Sequence, residues 1–307
     1  MAPTPVVEER IKEAIPARKL ISLARIMIAT DFSPFSEQAL DCAVSLAQRF
    51  ESTVYLTHVL TFAGHGVMEA EVPSLSREEM WDFAKAGMKK IEDSGRLKGV
   101  PHEVVIEQGA LWPTLENLIQ KDQIDLLVVG THGTTGVLKM VIGSSAEEIF
   151  RQATIPVLSV GPAVPGAPQL EAEFKNIVFA TDFGAAAKRE ATYAFALAQE
   201  HGARLVMVHV SPRPAKASPR DAVQERENIT RTLAALAPAE AQLAWKPQYH
   251  LAFGEPVKEI LRVAGDVNAD LIVLGAKKHE TLPGHVPHTK AYRVVCGARC
   301  PVLTIRC

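Results

Sequence analysis

The chain has 307 residues, a length that favours two domains of ordinary size. Hydrophobic residues make up 47% and charged residues 22%, which excludes a largely disordered or collagen-like chain. Lysine and arginine total 33 against 35 acidic residues, a formal net charge of -2, so no broad basic footprint exists for nucleic acid or an anionic membrane.

In chain order, residues 1–24 read as a leader in which Val7, Ile11, Ile15 and Leu20 suggest a short helix that docks on a domain. Glu8, Glu9, Arg10, Lys12 and Glu13 deny it the apolar stretch of a secretory signal. No run anywhere approaches the roughly 18 apolar residues of a membrane span. The expected location is the cytoplasm, and Cys42, Cys296, Cys300 and Cys307 do not read as a disulfide framework.

A first strand is predicted over 25–30. Ser33-Pro34 follows, an N-cap with proline at the first helical position, and Leu40, Ala43, Val44 and Ala47 continue it as an apolar helical stripe. Further strands are predicted at 53–59, 103–107, 126–129 and 156–160. Ser76-Arg77-Glu78-Glu79 and Ser144-Ser145-Ala146-Glu147 both fit the capping box, which places helix starts at Ser76 and Ser144. Residues 161–175, opening with Gly161-Pro162 and containing Pro165-Gly166, read as a semi-extended linker. Beyond it, strands are predicted near 176–180, 203–210, 248–252, 271–274 and 301–305.

The second series repeats the first. Ala-Thr-Asp-Phe ends the strand at both Ala29–Phe32 and Ala180–Phe183, and His-Val ends the next at His58-Val59 and His209-Val210, each pair 151 positions apart. Later landmarks keep a spacing of 145: Gly109 with Gly254, Asp125 with Asp270, Gly130 with Gly275, Pro156 with Pro301. Matches that preserve order, spacing and local chemistry indicate an internal duplication. Alternating strands and helices predict an α/β fold of two tandem doubly wound domains, each a five-stranded parallel sheet with helices on both faces. The domains are expected at 25–160 and 176–307. The last strand of each would lie at a sheet edge and seek a partner, so the two are expected to meet antiparallel or face each other across the domain interface.

In an open parallel sheet, ligands bind beyond the carboxyl ends of the strands near the switch point. The loop after the fourth strand of the first copy runs Gly130-Thr131-His132-Gly133, then nine residues to Gly143-Ser144-Ser145. Glycines admit a phosphate to backbone N–H groups, and a helix start with two hydroxyls favours an anion. Asp31, taken alone, fits the entry to the next helix as well as it fits a ligand. His58, inside an apolar strand, reads as a hydrogen-bonded core histidine, and Lys139 as a solvated cation.

The pattern Gly-x2-Gly-x9-Gly-Ser, with Ala-Thr-Asp and His-Val at the ends of the first two strands, resembles the universal stress protein family over nearly the whole chain. Members with this loop typically bind ATP. The resemblance implies that Thr30 and Asp31 meet the adenosine end, that Val59 offers backbone groups to adenine, and that Gly130, His132, Gly133, Gly143, Ser144 and Ser145 hold ribose and phosphates. It implies ATP, with or without magnesium, as cofactor, and an intramolecular pseudo-dimer of the two domains, a homodimer staying open. The implied role is a nucleotide-responsive binding module in stress adaptation. The alternatives are a slow ATP hydrolase or phosphotransferase, for which no catalytic residue is assigned, and a stress scaffold that binds no nucleotide.

The second copy departs from the motif: Gly133 falls on Lys278, Gly143 on His288 and Ser144 on Thr289. One ATP per chain is therefore expected, in the first copy. His279, His285, His288, Cys296 and Cys300 cluster in sequence, but their spacings match no common zinc module, and no metal site is expected.

Overall fold

The computed structural model describes residues 19–61, 76–131, 142–161, 173–211, 219–241, 243–276 and 289–306. The first copy runs β1 (Arg25–Ala29), α1 (Pro34–Phe50), β2 (Thr53–Leu60), α2 (Arg77–Asp93), β3 (His102–Gln108), α3 (Leu111–Lys121), β4 (Leu126–Gly130), α4 (Ser144–Gln152) and β5 (Val157–Val160). The second repeats it as β6 (Asn176–Ala180), α5 (Ala187–His201), β7 (Arg204–Ser211), α6 (Pro219–Ala234), β8 (Gln248–Phe253), α7 (Pro256–Asp266), β9 (Leu271–Ala276), α8 (Lys290–Gly297) and β10 (Val302–Arg306). Each strand lies within a few residues of its predicted position. Most of the expected linker, residues 162–172, falls outside the described residues, as does most of the leader.

All ten strands join one sheet in the order β3-β2-β1-β4-β5-β10-β9-β6-β7-β8. Pairing is parallel within each copy, as the helical crossovers between strands require. Where the copies meet, β5 and β10 run antiparallel, with Leu158 opposite Leu303 and the Thr304 hydroxyl donating to the Val157 carbonyl at 3.2 Å. The expected meeting of the two final strands is thus a backbone ladder, and it takes both strands off the sheet edges. The sheet reads the same from either end, a pseudo-twofold relation of the copies.

Helices cover both faces. On one, a core with Leu40, Leu46 and Val128 from the first copy continues into Phe179, Phe195 and Leu303 from the second. On the other, α3 packs Trp112 and Leu115 against Leu127, while Phe150 of α4 meets Tyr292 of α8 across the copies, their ring centroids 5.8 Å apart. The Arg306 guanidinium lies 4.9 Å from the centre of the same Phe150 ring, a cation–π contact between the copies. No helix among the described residues is long and apolar enough to cross a membrane.

The helix starts follow local chemistry. The Ser33 hydroxyl accepts from the Ser36 N–H at 3.2 Å with Pro34 in the first turn of α1, and Ser76 and Glu79 close a reciprocal capping box on α2. The capping box expected at Ser144 is corrected: Gly143 is the N-cap of α4, with no side chain to cap it, and Ser144 lies inside the helix. The cause is a bond distant in sequence. The Gly143 N–H donates to the Thr131 carbonyl at 2.8 Å, which holds Gly143 in extended backbone just before the helix.

Candidate functional site

Strand order reverses between β1 and β4, and the carboxyl ends of those two strands bring together Thr30, Asp31 and Gly130. Thr30 is buried and knits the turn: its hydroxyl accepts from the Phe32 N–H at 3.1 Å and lies 3.0 Å from the Ser36 hydroxyl. Asp31 is exposed, and one carboxylate oxygen accepts from the Ser33 N–H at 3.0 Å. It therefore helps shape the entry to α1 while its carboxylate faces solvent.

Phe32 occupies left-handed backbone at φ 62 and lays its ring 4.5 Å from the imidazole of His58. His58 donates Nδ1–H to the Thr30 carbonyl at 2.8 Å, because a carbonyl can only accept. Burial pushes this imidazole below the ordinary histidine range, against the opposing pull of the Thr30 carbonyl and the Asp31 carboxylate. His58 thus makes the expected hydrogen bond, which ties β2 to β1, but it is half-buried and not a core residue. Val59, half-buried beside it, lies at the carboxyl end of β2.

Gly130 ends β4 directly beneath α1. A Cβ there would meet the backbone of Phe35 and Ser36 at 2.9 to 3.0 Å, so helix and strand approach closely only because the residue is glycine. The loop beyond is anchored at both ends: the Thr131 N–H donates to the Val160 carbonyl at 2.9 Å, and Gly143 returns to the Thr131 carbonyl. His132, Gly133 and Lys139 lie outside the described residues. Ser144 and Ser145 are exposed in the first turn of α4, whose N-cap Gly143 has no side chain to cap it. The structure thus gathers Thr30, Asp31, Gly130, Gly143, Ser144 and Ser145 about one end of the sheet, with Val59 one strand away. Sequence reasoning missed Thr131 and Ser36. Thr131 acts through its backbone and Ser36 through a common hydroxyl, and neither carried a signal until the fold placed it.

The second copy keeps the strand-end pattern. Phe183 stands at φ 58 and stacks on His209, whose Nδ1–H donates to the Thr181 carbonyl at 2.9 Å. The Asp182 carboxylate accepts from the Gly184 N–H at 2.9 Å. The helix ends differ. Thr289 caps α8 by accepting the Tyr292 N–H at 3.1 Å, so the N-cap side chain occupies a donor here, which the N-cap glycine of α4 cannot do. His279, His285 and His288 lie outside the described residues. Burial pushes the Cys300 thiol up to about 12, which suits packing better than ligation, and no cluster of metal-binding side chains occurs among the described residues.

Comparison with known proteins agrees with this geometry. The universal stress protein family model matches residues 23–161 and again 173–306. A universal stress protein of Methanocaldococcus jannaschii is 31% identical over 147 residues, spanning 44% of this chain and 81% of the relative. The Bacillus subtilis universal stress protein YxiE is 29% identical over 146 residues, spanning 44% of this chain and 97% of the relative. Among solved structures, a universal stress protein from Archaeoglobus fulgidus superposes with TM-score 0.67 at 17% identity, covering 93% of this chain and 99% of that one. A structure from Pseudomonas aeruginosa gives TM-score 0.63 at 17% identity over 92% of this chain and 93% of that one. The single-copy relatives match about half of this chain and the two larger structures match nearly all of it, so the chain belongs to the universal stress protein family, as two tandem copies of its fold.

Proposed function

We propose that the first copy, residues 25–160, binds ATP, and that the chain acts in the cytoplasm as a nucleotide-responsive binding module in stress adaptation. One observation carries this reading. The start of α4 is held by the Gly143 to Thr131 bond beside the ends of β1 and β4, and its N-cap is a glycine, with no side chain of its own to take up the first-turn N–H groups. Donors aligned this way, with the Ser144 and Ser145 hydroxyls and the helix dipole, suit a chain of phosphates. The described residues therefore fit the nucleotide: Gly143, Ser144 and Ser145 would hold phosphate, Gly130 would border the ribose, and Thr30, Asp31 and Val59 would meet the adenosine end. His132 and Gly133 are proposed as the remaining contacts from the motif alone. Magnesium would arrive with the phosphates.

The second copy, residues 176–307, serves in this reading as the partner half of an intramolecular pseudo-dimer. Its first role is to pair β10 with β5, where a separate chain would otherwise be needed. The test is to identify the nucleotide that copurifies with the full chain, then to measure binding of labelled ATP beside a turnover assay. Binding without turnover supports the module, and turnover would move the protein to the enzyme class. A chain that neither copurifies with nor binds adenine nucleotide would sink the proposal.

A further inference from the structure

We infer that Tyr292 of the second copy is a positioning residue for the phosphate end of the first, so that both copies build the nucleotide site; this rests on the ATP reading above. Ile142 stands directly before the N-cap Gly143, and its side chain, 3% exposed, joins the apolar core of the second copy beside Tyr292, Val295 and Val302. Ala146 and Phe150 of α4 enter the same core, and Phe150 meets the Tyr292 ring edge-on. The start of α4 is therefore seated on the other copy.

A polar contact lies at the same place. The Ile142 backbone N–H donates to the Tyr292 hydroxyl oxygen, and that hydroxyl donates in turn to the thiol of Cys296, one turn further along α8. Burial pushes the Tyr292 hydroxyl up to about 12, with Cys296 and the Glu147 carboxylate adding to the rise and the Ile142 N–H opposing it. The hydroxyl thus keeps its proton near neutral pH, and its oxygen accepts from Ile142 while its proton serves the sulfur. The next amide, that of Gly143, is given to the Thr131 carbonyl at 2.8 Å. Two consecutive amides are fixed by partners in different copies, and together they set where the N–H groups of Ser144 and Ser145 point. The arrangement is one-sided. At the 145 spacing of the repeat, Tyr292 answers to Glu147 and Ile142 to Pro287. Proline has no N–H, so the second copy cannot receive the reciprocal bond. The contact serves only the copy that keeps the glycine N-cap.

Calorimetric titration of the full chain with ATP, and displacement of labelled ATP by adenosine, test this in the wild type and in Tyr292→Phe, which keeps the ring against Phe150 and removes only the hydroxyl. Tyr292→Phe should weaken ATP about three- to tenfold, the scale of one hydrogen bond, and leave adenosine within about twofold, because the loss falls on phosphate contacts. In the nucleotide-free chain the same substitution should speed amide exchange at Ile142 about tenfold. Ile142→Pro removes the N–H donor itself and should reproduce the selective loss of ATP; it decides the matter if Tyr292→Phe fails to fold. A wild-type chain that binds no adenine nucleotide would overturn the ATP reading and this inference with it. Wild-type binding of ATP that is undiminished in a folded variant, equal weakening of ATP and adenosine, or unaltered exchange at Ile142 would leave the ATP reading standing and overturn this inference alone.

Discussion

Gly143 stands in ordinary extended backbone, φ -59 and ψ 150, which any residue adopts. The turn itself therefore does not require glycine there, whereas the close approach of phosphate in the proposed function would. Gly143→Val is expected to change unfolding free energy by no more than about 0.5 kcal/mol while abolishing ATP binding; urea melts and calorimetric titration check both halves of the statement. Gly130 is the opposite case, because a Cβ would strike the backbone of α1. Gly130→Ala should cost about 1–3 kcal/mol by overpacking, read from the shift in urea midpoint. At the copy interface, His201 accepts the Phe174 N–H at Nδ1, and burial, aided by Arg49, lowers its pKa to about 4. Since the folded value lies below the unfolded one near 6.5, the unfolded chain takes up the proton first and stability falls as pH drops from about 6.5 to about 4. His201→Leu should flatten that fall, visible in urea midpoints collected across the same pH range; an unchanged slope would exclude His201 as its source. Residue types told part of this in advance. Ser33, Pro34, Ser76 and Glu79 carry their caps within four positions of themselves and were legible. The Gly143 to Thr131 bond and the burial of Glu190 depend on the sheet, and a glutamate in the polar run Lys188-Arg189-Glu190 reads locally as a solvated helix face.

At the scale of elements, the strands were legible because most are short β-branched runs ended by glycine, proline or a polar turn, and the duplication repeats the order of strands and helices. Helix starts were less so. The two first helices of the copies share a repeat position yet begin two residues apart, because one has a serine cap with proline behind it and the other has glycine and alanines. Ser33→Ala should accordingly cost about 1 kcal/mol and speed amide exchange in the first turn of α1. Exchange in that turn no faster than in the wild-type chain would show that packing on Gly130, and not the cap, holds it.

Across the whole molecule, one sheet and one continuous apolar core join the copies, although the chain encodes them as separate repeats. The edge-strand argument predicted where they meet. It could not choose the ladder over face-to-face packing, since either would cover the edges. A continuous sheet implies shared stability, so calorimetry should show one cooperative transition with van't Hoff and calorimetric enthalpies in agreement; two resolved transitions would mean the β5–β10 ladder couples them weakly. The asymmetry of the copies is the central claim, and it rests on a glycine N-cap in one and a threonine-capped start in the other. Isothermal titration of the full chain with ATP tests it most directly. The account predicts a stoichiometry of one nucleotide per chain, reduced to none by Gly143→Val. Two equivalent sites per chain, or one site untouched by that substitution, would contradict it.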